Sequence, residues 1–280
     1  MMTREAVVVS GVRTPIGVFG GALSEIDAPE LGGLVIKEAL VRAGIRGDQV
    51  DEVIMGTHFQ AGIKANSARQ AAMHAGLPVE VPAWTPNINC GTGLQSVNVA
   101  AQMVMLGEAD IVVAGGCETM SRIPYLIQKH RFGAKMGNEQ LLDSMMYDGL
   151  IDPFMNYHMG ITAENVAEKF GISRQMQDEF AYNSHRKAAR AAKEGFFDAE
   201  ILPVEVKQRK GRILFAADET IRPDVTVDAL EKMKPAFKKD GTVTAGNASG
   251  INDGAAAVVI MSREKAAELG KRAIVSFEAF

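Results

Sequence analysis

Apolar residues occur along this chain in two alternating spacings. Four short segments predict strands, at 6–10, 51–56, 84–88 and 110–114, and the apolar runs at 6–10 and 110–114 predict buried ones. Between these runs, apolar residues recur every three or four positions and predict helices at 30–44, at 67–75 and after Cys90. Strands that alternate with helices build βαβ units. The sequence therefore predicts an α/β fold with a mostly parallel mixed sheet covered by helices.

The alternation stops after Gly116. The following stretch has irregular segments and a helical region at about 160–194, and it has short extended segments at 203–208 and 212–215. Such a stretch is typical of a segment that leaves the sheet and forms a separate part of the structure.

The alternation resumes with a predicted buried strand at 255–261 and a helix from Ser262. We therefore predict one discontinuous domain, residues 1–119 plus 250–271, with residues 120–249 inserted as a second domain. A last apolar run at 274–280 predicts a strand that nothing later in the sequence covers. An exposed strand edge of this kind pairs readily with another chain.

Composition narrows the possible functions. The 280 residues are 47% hydrophobic, which is enough for a substantial core and for more than one domain. A formal net charge of −4 argues against nucleic-acid binding, which requires a basic surface. No apolar stretch approaches the ~20 residues that span a bilayer, and the run at 6–9 is too short for a signal peptide. We expect a cytoplasmic protein without nucleic-acid or membrane partners.

Cys90 and Cys117 are the two cysteines of the sequence. Their spacing fits neither a disulfide framework nor a zinc site, so no metal is expected, and two free thiols suit a reducing cytoplasm. Cys117 follows a predicted strand and two glycines, where a small buried residue is expected. The glycine-rich segment 246–254 lacks the Gly-Lys-Ser/Thr ending of a P-loop and the spacing of a dinucleotide fingerprint, which argues against ATP and NAD.

Cys90 is the strongest candidate for chemistry. It lies in the sequence Asn-Cys-Gly-Thr-Gly-Leu at the start of a predicted helix. The unpaired N–H groups and the dipole of a helix's first turn favour negative charge, which is the charge of a thiolate nucleophile. Glycines beside it allow backbone to approach a ligand closely. The sequence therefore indicates a nucleophilic cysteine at a helix N-terminus.

The residues from Asn89 to Leu94 closely resemble the nucleophile motif of the thiolases, the enzymes that make or cleave 3-ketoacyl-CoA. Three later segments resemble thiolase signatures in the family's order: Gly115–Ser121, His158–Asn165 and Gly241–Ala256. The resemblance covers essentially the whole chain. It implies a thiolase-like N-terminal domain with an inserted CoA-binding loop domain, and it makes residues 272–280 the first strand of a C-terminal domain that these 280 residues do not contain.

The resemblance also implies the chemistry. Cys90 would attack the thioester carbonyl of an acyl-CoA, and the enolate of a second acetyl-CoA would then attack the acyl group in a Claisen condensation, with thiolysis as the reverse. The CoA thioester is the substrate, and no further cofactor is implied. Residues 157–160 resemble the acetoacetyl-CoA members and imply short-chain substrates. The CoA contacts carried over from the family are Leu150, His158, Met159, Arg222, Phe237, Ala245 and Ser249.

The family's other catalytic motifs are missing from these 280 residues. The sequence contains no Asn-Glu-Ala-Phe, Gly-His-Pro or carboxy-terminal Cys-x-Gly motif. We therefore expect activity to require a complementary chain that supplies the histidine and the second cysteine, within a homo- or hetero-oligomer. The alternative is a non-catalytic thiolase-like protein that binds acyl-CoA or acts as a scaffold. A cysteine hydrolase that uses Cys90 with a local histidine has no supporting pair in the sequence.

Overall fold

The computed structural model describes residues 4–208 and 211–279. Its strands in chain order are β1 Ala6–Arg13, β2 Gly17–Val18, β3 Glu52–Gly56, β4 Ala83–Trp84, β5 Ile111–Thr119, β6 Tyr125–Leu126, β7 Leu142–Asp143, β8 Val204–Gln208, β9 Gly211–Phe215, β10 Asn252–Ser262 and β11 Val275–Ser276. Its α-helices are α1 Ala28–Ala43, α2 Ser67–His74, α3 Thr92–Leu106, α4 Met159–Phe170, α5 Arg174–Lys193, α6 Val227–Glu231 and α7 Arg263–Glu268. No helix within the described residues is both long and apolar enough to cross a membrane.

The chain forms two compact units. Unit 1 comprises Met1–Arg122, Glu200–Asp218 and Asn252–Phe280, and unit 2 comprises Ile123–Ala199 and Glu219–Ile251. This division differs from the predicted inserted domain 120–249, because residues 200–218 belong to unit 1. Local sequence patterns show that a segment leaves the sheet but do not show where it packs.

The β8–β9 hairpin explains this difference. Its side chains Val204, Val206 and Phe215 are buried in the main hydrophobic cluster of unit 1. The guanidinium of Arg13, at the end of β1, then binds both sides of the hairpin: it donates to Glu200 at 2.7 Å and to Asp218 at 2.8 Å. Apolar burial and these ion pairs hold residues 200–218 in unit 1.

Unit 1 is built on a mixed sheet with the order β11-β1-β10-β5-β3-β4, and β2 also pairs with β10. Strand β3 lies parallel to both β4 and β5, whereas β10 lies antiparallel to β1, β2 and β5. Strands β1 to β5 therefore run in one direction, and β10 and β11 run in the opposite direction. The predicted α/β fold with a mostly parallel mixed sheet is confirmed.

Helices cover both faces of this sheet because successive strand residues point to opposite sides. On one face, Val113 belongs to the cluster that contains α1 and α2 residues such as Leu31 and Ala72. On the other face, Val112 packs in the cluster that contains Val104 of α3. The strand residues alternate between two cores, and α3 is thereby held along one face of the sheet.

The final apolar run, predicted as the first strand of another domain, lies at an edge of this sheet. Val275 pairs with Val8 and Ser276 pairs with Val7, so β11 adds to β1 in the antiparallel sense. Both residues of β11 are exposed. Phe280, which ended the predicted strand, lies outside the described residues.

Unit 2 contains α4, α5, α6 and the short β6–β7 pair. The predicted helical region 160–194 is two helices, because Gly171 adopts a left-handed conformation with φ 65° and ends α4. The hydroxyl of Ser173 then accepts a hydrogen bond from the N–H of Met176 and starts α5. A glycine followed closely by a capping serine is the sequence signal for this break.

Candidate active site

Cys90 lies in a loop at the N-terminus of α3, and its side chain is exposed. The helix begins at Thr92, and Gly91 occupies the capping position without a side-chain cap. The predicted strand 84–88 is shorter than expected, since β4 ends at Trp84. Residues 85–91 instead form a loop, called the nucleophile loop below, which leads from the sheet edge to α3.

Local hydrogen bonds shape the nucleophile loop next to Cys90. Asn89 adopts the left-handed conformation with φ 57°, which Asn tolerates better than most residues. The hydroxyl of Thr92 donates to the carbonyl oxygen of Asn89 at 2.6 Å and accepts from the N–H of Ile88 at 2.9 Å. The Thr92 hydroxyl therefore holds the backbone of the two residues that precede Cys90.

Glycines of two neighbouring strands let α3 approach the sheet. A Cβ built on Gly56 would lie 2.2 Å from Cγ2 of Thr92, and one built on Gly116 would lie 3.3 Å from Cα of Gly93. These two residues belong to β3 and β5, which are neighbours in the sheet. The first turn of α3 therefore rests directly on backbone, and this contact sets the height of Cys90 above the strand ends.

Glu118, near the end of β5, holds the chain that follows β3. Its carboxylate accepts hydrogen bonds from the N–H groups of His58 at 2.8 Å and Phe59 at 3.4 Å. Burial raises the pKa of Glu118 to about 7. The two hydrogen bonds lower this pKa, and the negative charge of Asp253 raises it further. Glu118 therefore changes its charge near neutral pH.

Cys117 differs from Cys90 in its surroundings, although it is also a free thiol. It is buried, and its sulfur lies 3.5 Å from the hydroxyl of Thr57 and 3.6 Å from that of Ser67. Burial raises the pKa of the Cys117 thiol more than these hydrogen bonds lower it. A buried thiol of raised pKa is a poor nucleophile, so the geometry favours Cys90 as the reactive sulfur.

In unit 2, the structure brings together several of the predicted CoA contacts. The imidazole of His158 stacks on the ring of Phe237, with ring centroids 4.7 Å apart and an interplanar angle of 14°. Its Nδ1 also accepts a hydrogen bond from the N–H of Gly160 at 2.9 Å, which caps the start of α4. Met159 is the first residue of that helix and is 37% exposed. Leu150 precedes Ile151, which forms a β-bridge with His158.

The segment that carries Ala245 and Ser249 is tied to the helices of unit 2. Glu164 of α4 accepts hydrogen bonds from the N–H groups of Thr242 and Val243, both at 2.8 Å. Burial opposes ionisation of Glu164, but these hydrogen bonds hold its pKa below the ordinary value. Ala245 and Ser249 are themselves exposed. A charged, buried carboxylate thus fixes the backbone beside two exposed predicted contacts.

Arg222 is also exposed, and local contacts hold it. Its guanidinium donates to the carbonyl oxygen of Glu219 at 2.7 Å, and its N–H donates to Nδ1 of His185 at 3.3 Å. The hydrogen bonds given for Arg222 are made with Glu219 and His185, and not with the other predicted CoA contacts.

Comparisons with known proteins decide the family. The family model of the thiolase N-terminal domain matches residues 6–264. A probable acetyl-CoA acyltransferase of Staphylococcus aureus (strain COL) is 53% identical over 280 residues, which are 100% of this chain and 71% of that relative. This chain belongs to the thiolase family.

Two further matches agree with that assignment. A probable acetyl-CoA acyltransferase of Staphylococcus epidermidis (strain ATCC 12228 / FDA PCI 1200) is 52% identical over 275 residues, covering 98% of this thiolase chain and 70% of the relative. The crystal structure of the Bacillus anthracis acetyl-CoA acetyltransferase superimposes with a TM-score of 0.95 at 43% identity, covering 98% of this chain and 70% of that one. The resemblance stated from the motifs is therefore confirmed at the level of family and fold.

Within this thiolase chain, two site residues were missed by sequence reasoning. Asn87 lies in the nucleophile loop, and Glu118 lies in a segment recognised only as a signature. The available signal was the Asn-Ile-Asn-Cys sequence, because Asn side chains in loops often form hydrogen bonds with nearby backbone. The side chain of Asn87 donates to the carbonyl oxygen of His58, which is 29 residues away in sequence, and no local pattern identifies that partner.

Proposed function

We propose that this chain carries the nucleophile of a thiolase that acts on short-chain 3-ketoacyl-CoA, such as acetoacetyl-CoA. The observation that supports it is an exposed cysteine directly before the first turn of a helix, in a chain of the thiolase family. Sulfur at this position is accessible to a thioester, and the unpaired N–H groups of a helix's first turn favour negative charge beside it. A protein that only binds acyl-CoA has no use for such a thiol.

In the first half-reaction, the Cys90 thiolate attacks the thioester carbonyl of acyl-CoA. The new S–C bond forms, the C–S bond to CoA breaks, and CoA leaves as its thiolate, which takes up a proton. The oxyanion of the tetrahedral intermediate requires positioned donors, and the backbone N–H of Cys90 is our candidate for one of them. Leu150, His158, Met159, Arg222, Phe237, Ala245 and Ser249 are the candidates for holding CoA.

In the second half-reaction, a base removes the α-proton of acetyl-CoA, and the enolate carbon attacks the acyl group on Cys90. The C–C bond forms and the Cys90 sulfur leaves. We propose that the base and the remaining oxyanion donors come from residues outside these 280, on a polypeptide with the Gly-His-Pro and Cys-x-Gly motifs. The absence of these motifs from the sequence supports this proposal.

Intact-mass analysis with acetyl-CoA tests the nucleophile. We expect an acetyl adduct on the wild-type chain and on Cys117→Ala, but none on Cys90→Ala. Cys117→Ala is the matched control because it removes the other thiol of the chain. An adduct that persists in Cys90→Ala would contradict the assignment of the nucleophile.

Complementation tests the need for outside residues. We expect negligible thiolysis of acetoacetyl-CoA by the chain alone and a large increase on adding a polypeptide that contains the two missing motifs. Replacing the histidine of its Gly-His-Pro motif by alanine should abolish the increase. Full thiolysis by the chain alone would contradict the proposal of a divided active site.

A further inference from the structure

The nucleophile loop needs support because its shape is not set by regular structure. It follows β4, which is two residues long, and it passes through the left-handed residue Asn89 before Cys90. Asn adopts this conformation more readily than most residues, but it still requires contacts that hold it in place. The position of the Cys90 sulfur therefore depends on what holds Asn89.

The side chain of Asn87 makes that contact with both ends of its amide. Its Oδ1 accepts a hydrogen bond from the N–H of Asn89 at 2.9 Å. Its Nδ2 donates to the carbonyl oxygen of His58 at 2.9 Å. Because the amide group is planar, these two bonds fix the Ile88–Asn89 peptide relative to the chain that follows β3.

The segment that receives Asn87 is itself anchored to the sheet. His58 and Phe59 donate their N–H groups to the Glu118 carboxylate on β5, and their rings stack with centroids 4.2 Å apart. The chain of contacts thus runs from Glu118 through His58 and Asn87 to Asn89, next to Cys90. Each contact joins groups within unit 1.

We propose that Asn87 is a positioning residue for the nucleophile and holds the Cys90 sulfur in its reactive place at the start of α3. It acts through the backbone of Asn89 and does not touch the reacting atoms. This inference rests on the proposed function, because it gives Asn87 a role in acyl transfer to Cys90. Asn is suited to the position because it combines an acceptor oxygen and a donor NH2 in a single rigid group.

Kinetics of Cys90 modification test this role. Acetyl adduct formation is followed by intact mass at several acetyl-CoA concentrations, and carbamidomethylation of Cys90 by iodoacetamide is followed by peptide mapping. For Asn87→Ala we expect the limiting rate constant of acetylation and the alkylation rate constant each to fall about tenfold. The half-saturating acetyl-CoA concentration should stay within twofold, because the predicted CoA contacts are in unit 2.

Asn87→Asp keeps the size of the side chain but disrupts the bond to His58. It keeps an acceptor for the N–H of Asn89 but places a carboxylate oxygen against the carbonyl oxygen of His58, so its rate constants should also fall below those of the wild type. Asn138→Ala, at an exposed position of unit 2, is the matched control and should react like the wild type. Partial unfolding would change the fraction of chains that react with the rate constant of the folded state. Mispositioning of the sulfur would instead lower that rate constant itself.

The outcomes distinguish this inference from the proposed function. Wild-type rate constants for both Asn87 variants would overturn the positioning role. If the wild type is alkylated at Cys90 but never acetylated, the proposed function fails, and the alkylation rates still decide whether Asn87 positions the sulfur. Equal loss of acetylation and alkylation in Asn87→Ala, with unchanged half-saturation, would support both.

Discussion

Gly56, at the end of β3, lies against Thr92, the first residue of α3: a Cβ on Gly56 would be 2.2 Å from Cγ2 of Thr92. The backbone oxygen of Thr92 is also within 3.1 Å of that position, so the helix cannot yield by rotating one side chain. This contact joins the sheet to the helix that carries the nucleophile. The shape of the site therefore depends on a residue without a side chain.

Gly56→Ala should displace the first turn of α3. We expect the free energy of unfolding to fall by about 2 kcal/mol, as for other overpacked positions, and alkylation of Cys90 to slow. Urea denaturation and iodoacetamide labelling measure the two effects. Gly93→Ala is the control, because a Cβ there meets no atom within 4 Å and alanine favours the helix. Equal stability of Gly56→Ala and the wild type would contradict the tight contact.

Thr92→Val should open the nucleophile loop while keeping the shape of the side chain. It removes the donor to the Asn89 carbonyl and the acceptor for the Ile88 N–H, both in a partly buried position. We expect a loss of about 2 kcal/mol in the free energy of unfolding, within the range for unpaired buried polar groups. Thr92→Ser keeps the hydroxyl and should lose much less. Equal destabilisation of Thr92→Val and Thr92→Ser would contradict a stabilising role of the hydroxyl.

Glu118 should make the stability of the protein depend on pH. Its pKa is about 7 in the folded chain, against an ordinary value of 4.5. Between these two values the folded state holds a proton that the unfolded state has released, so the free energy of unfolding falls as pH rises through this window. The loss amounts to about 3 kcal/mol by pH 8 and is absent below pH 4.5.

Glu118→Gln removes this titration and keeps an oxygen that accepts from His58. Denaturation of both proteins at pH 4.5, 6 and 8 should show that the free energy of unfolding of the variant increases relative to that of the wild type as pH rises. Glu139→Gln, at an exposed position, should follow the wild type. Parallel pH profiles for Glu118→Gln and the wild type would refute this source of pH dependence.

Gly160→Ala should disturb the His158–Phe237 stack in unit 2. A Cβ on Gly160 would lie 2.2 to 2.4 Å from ring atoms of Phe237. We expect the ring to be pushed from His158 and the half-saturating concentration of acetyl-CoA to rise about tenfold. A double-mutant cycle with Phe237→Ala is the control, because removing the ring should relieve most of the clash. Additive effects of the two substitutions would argue against direct contact.

Arg13→Met should detach the β8–β9 hairpin from β1. It removes the guanidinium from Asp218, which also accepts the N–H of Ile16 and whose side chain is 9% exposed. Leaving such a charge without its partner costs about 3 kcal/mol. The exposed pair Arg46–Asp48 is the control, and Arg46→Met should cost less than about 1 kcal/mol. Thermal unfolding of the two variants measures the difference, and equal melting temperatures would contradict it.

Much of this architecture follows from short-range pattern. The predicted strand at 6–10 is part of β1, the predicted helix at 30–44 matches α1, and Cys90 does precede a helix. Burial was less predictable: Leu94 is 69% exposed, whereas Ser96 of the same helix is buried. The spacing of apolar residues in a helix predicts its buried side only when polar side chains are not buried as well.

The sequence by itself determined the family, the alternation of strands and helices, and the cysteine at the start of α3, because each depends on neighbouring residues or on a contiguous motif. Only the tertiary structure decided that residues 200–218 join unit 1, that β4 ends at Trp84, and that Asn87 and Glu118 support the nucleophile loop. The placement of residues 200–218 and the support of the nucleophile loop depend on contacts between residues 29 to 205 positions apart. Such contacts leave no period in the sequence, since they are made by single polar groups whose partners are chosen by the folded chain.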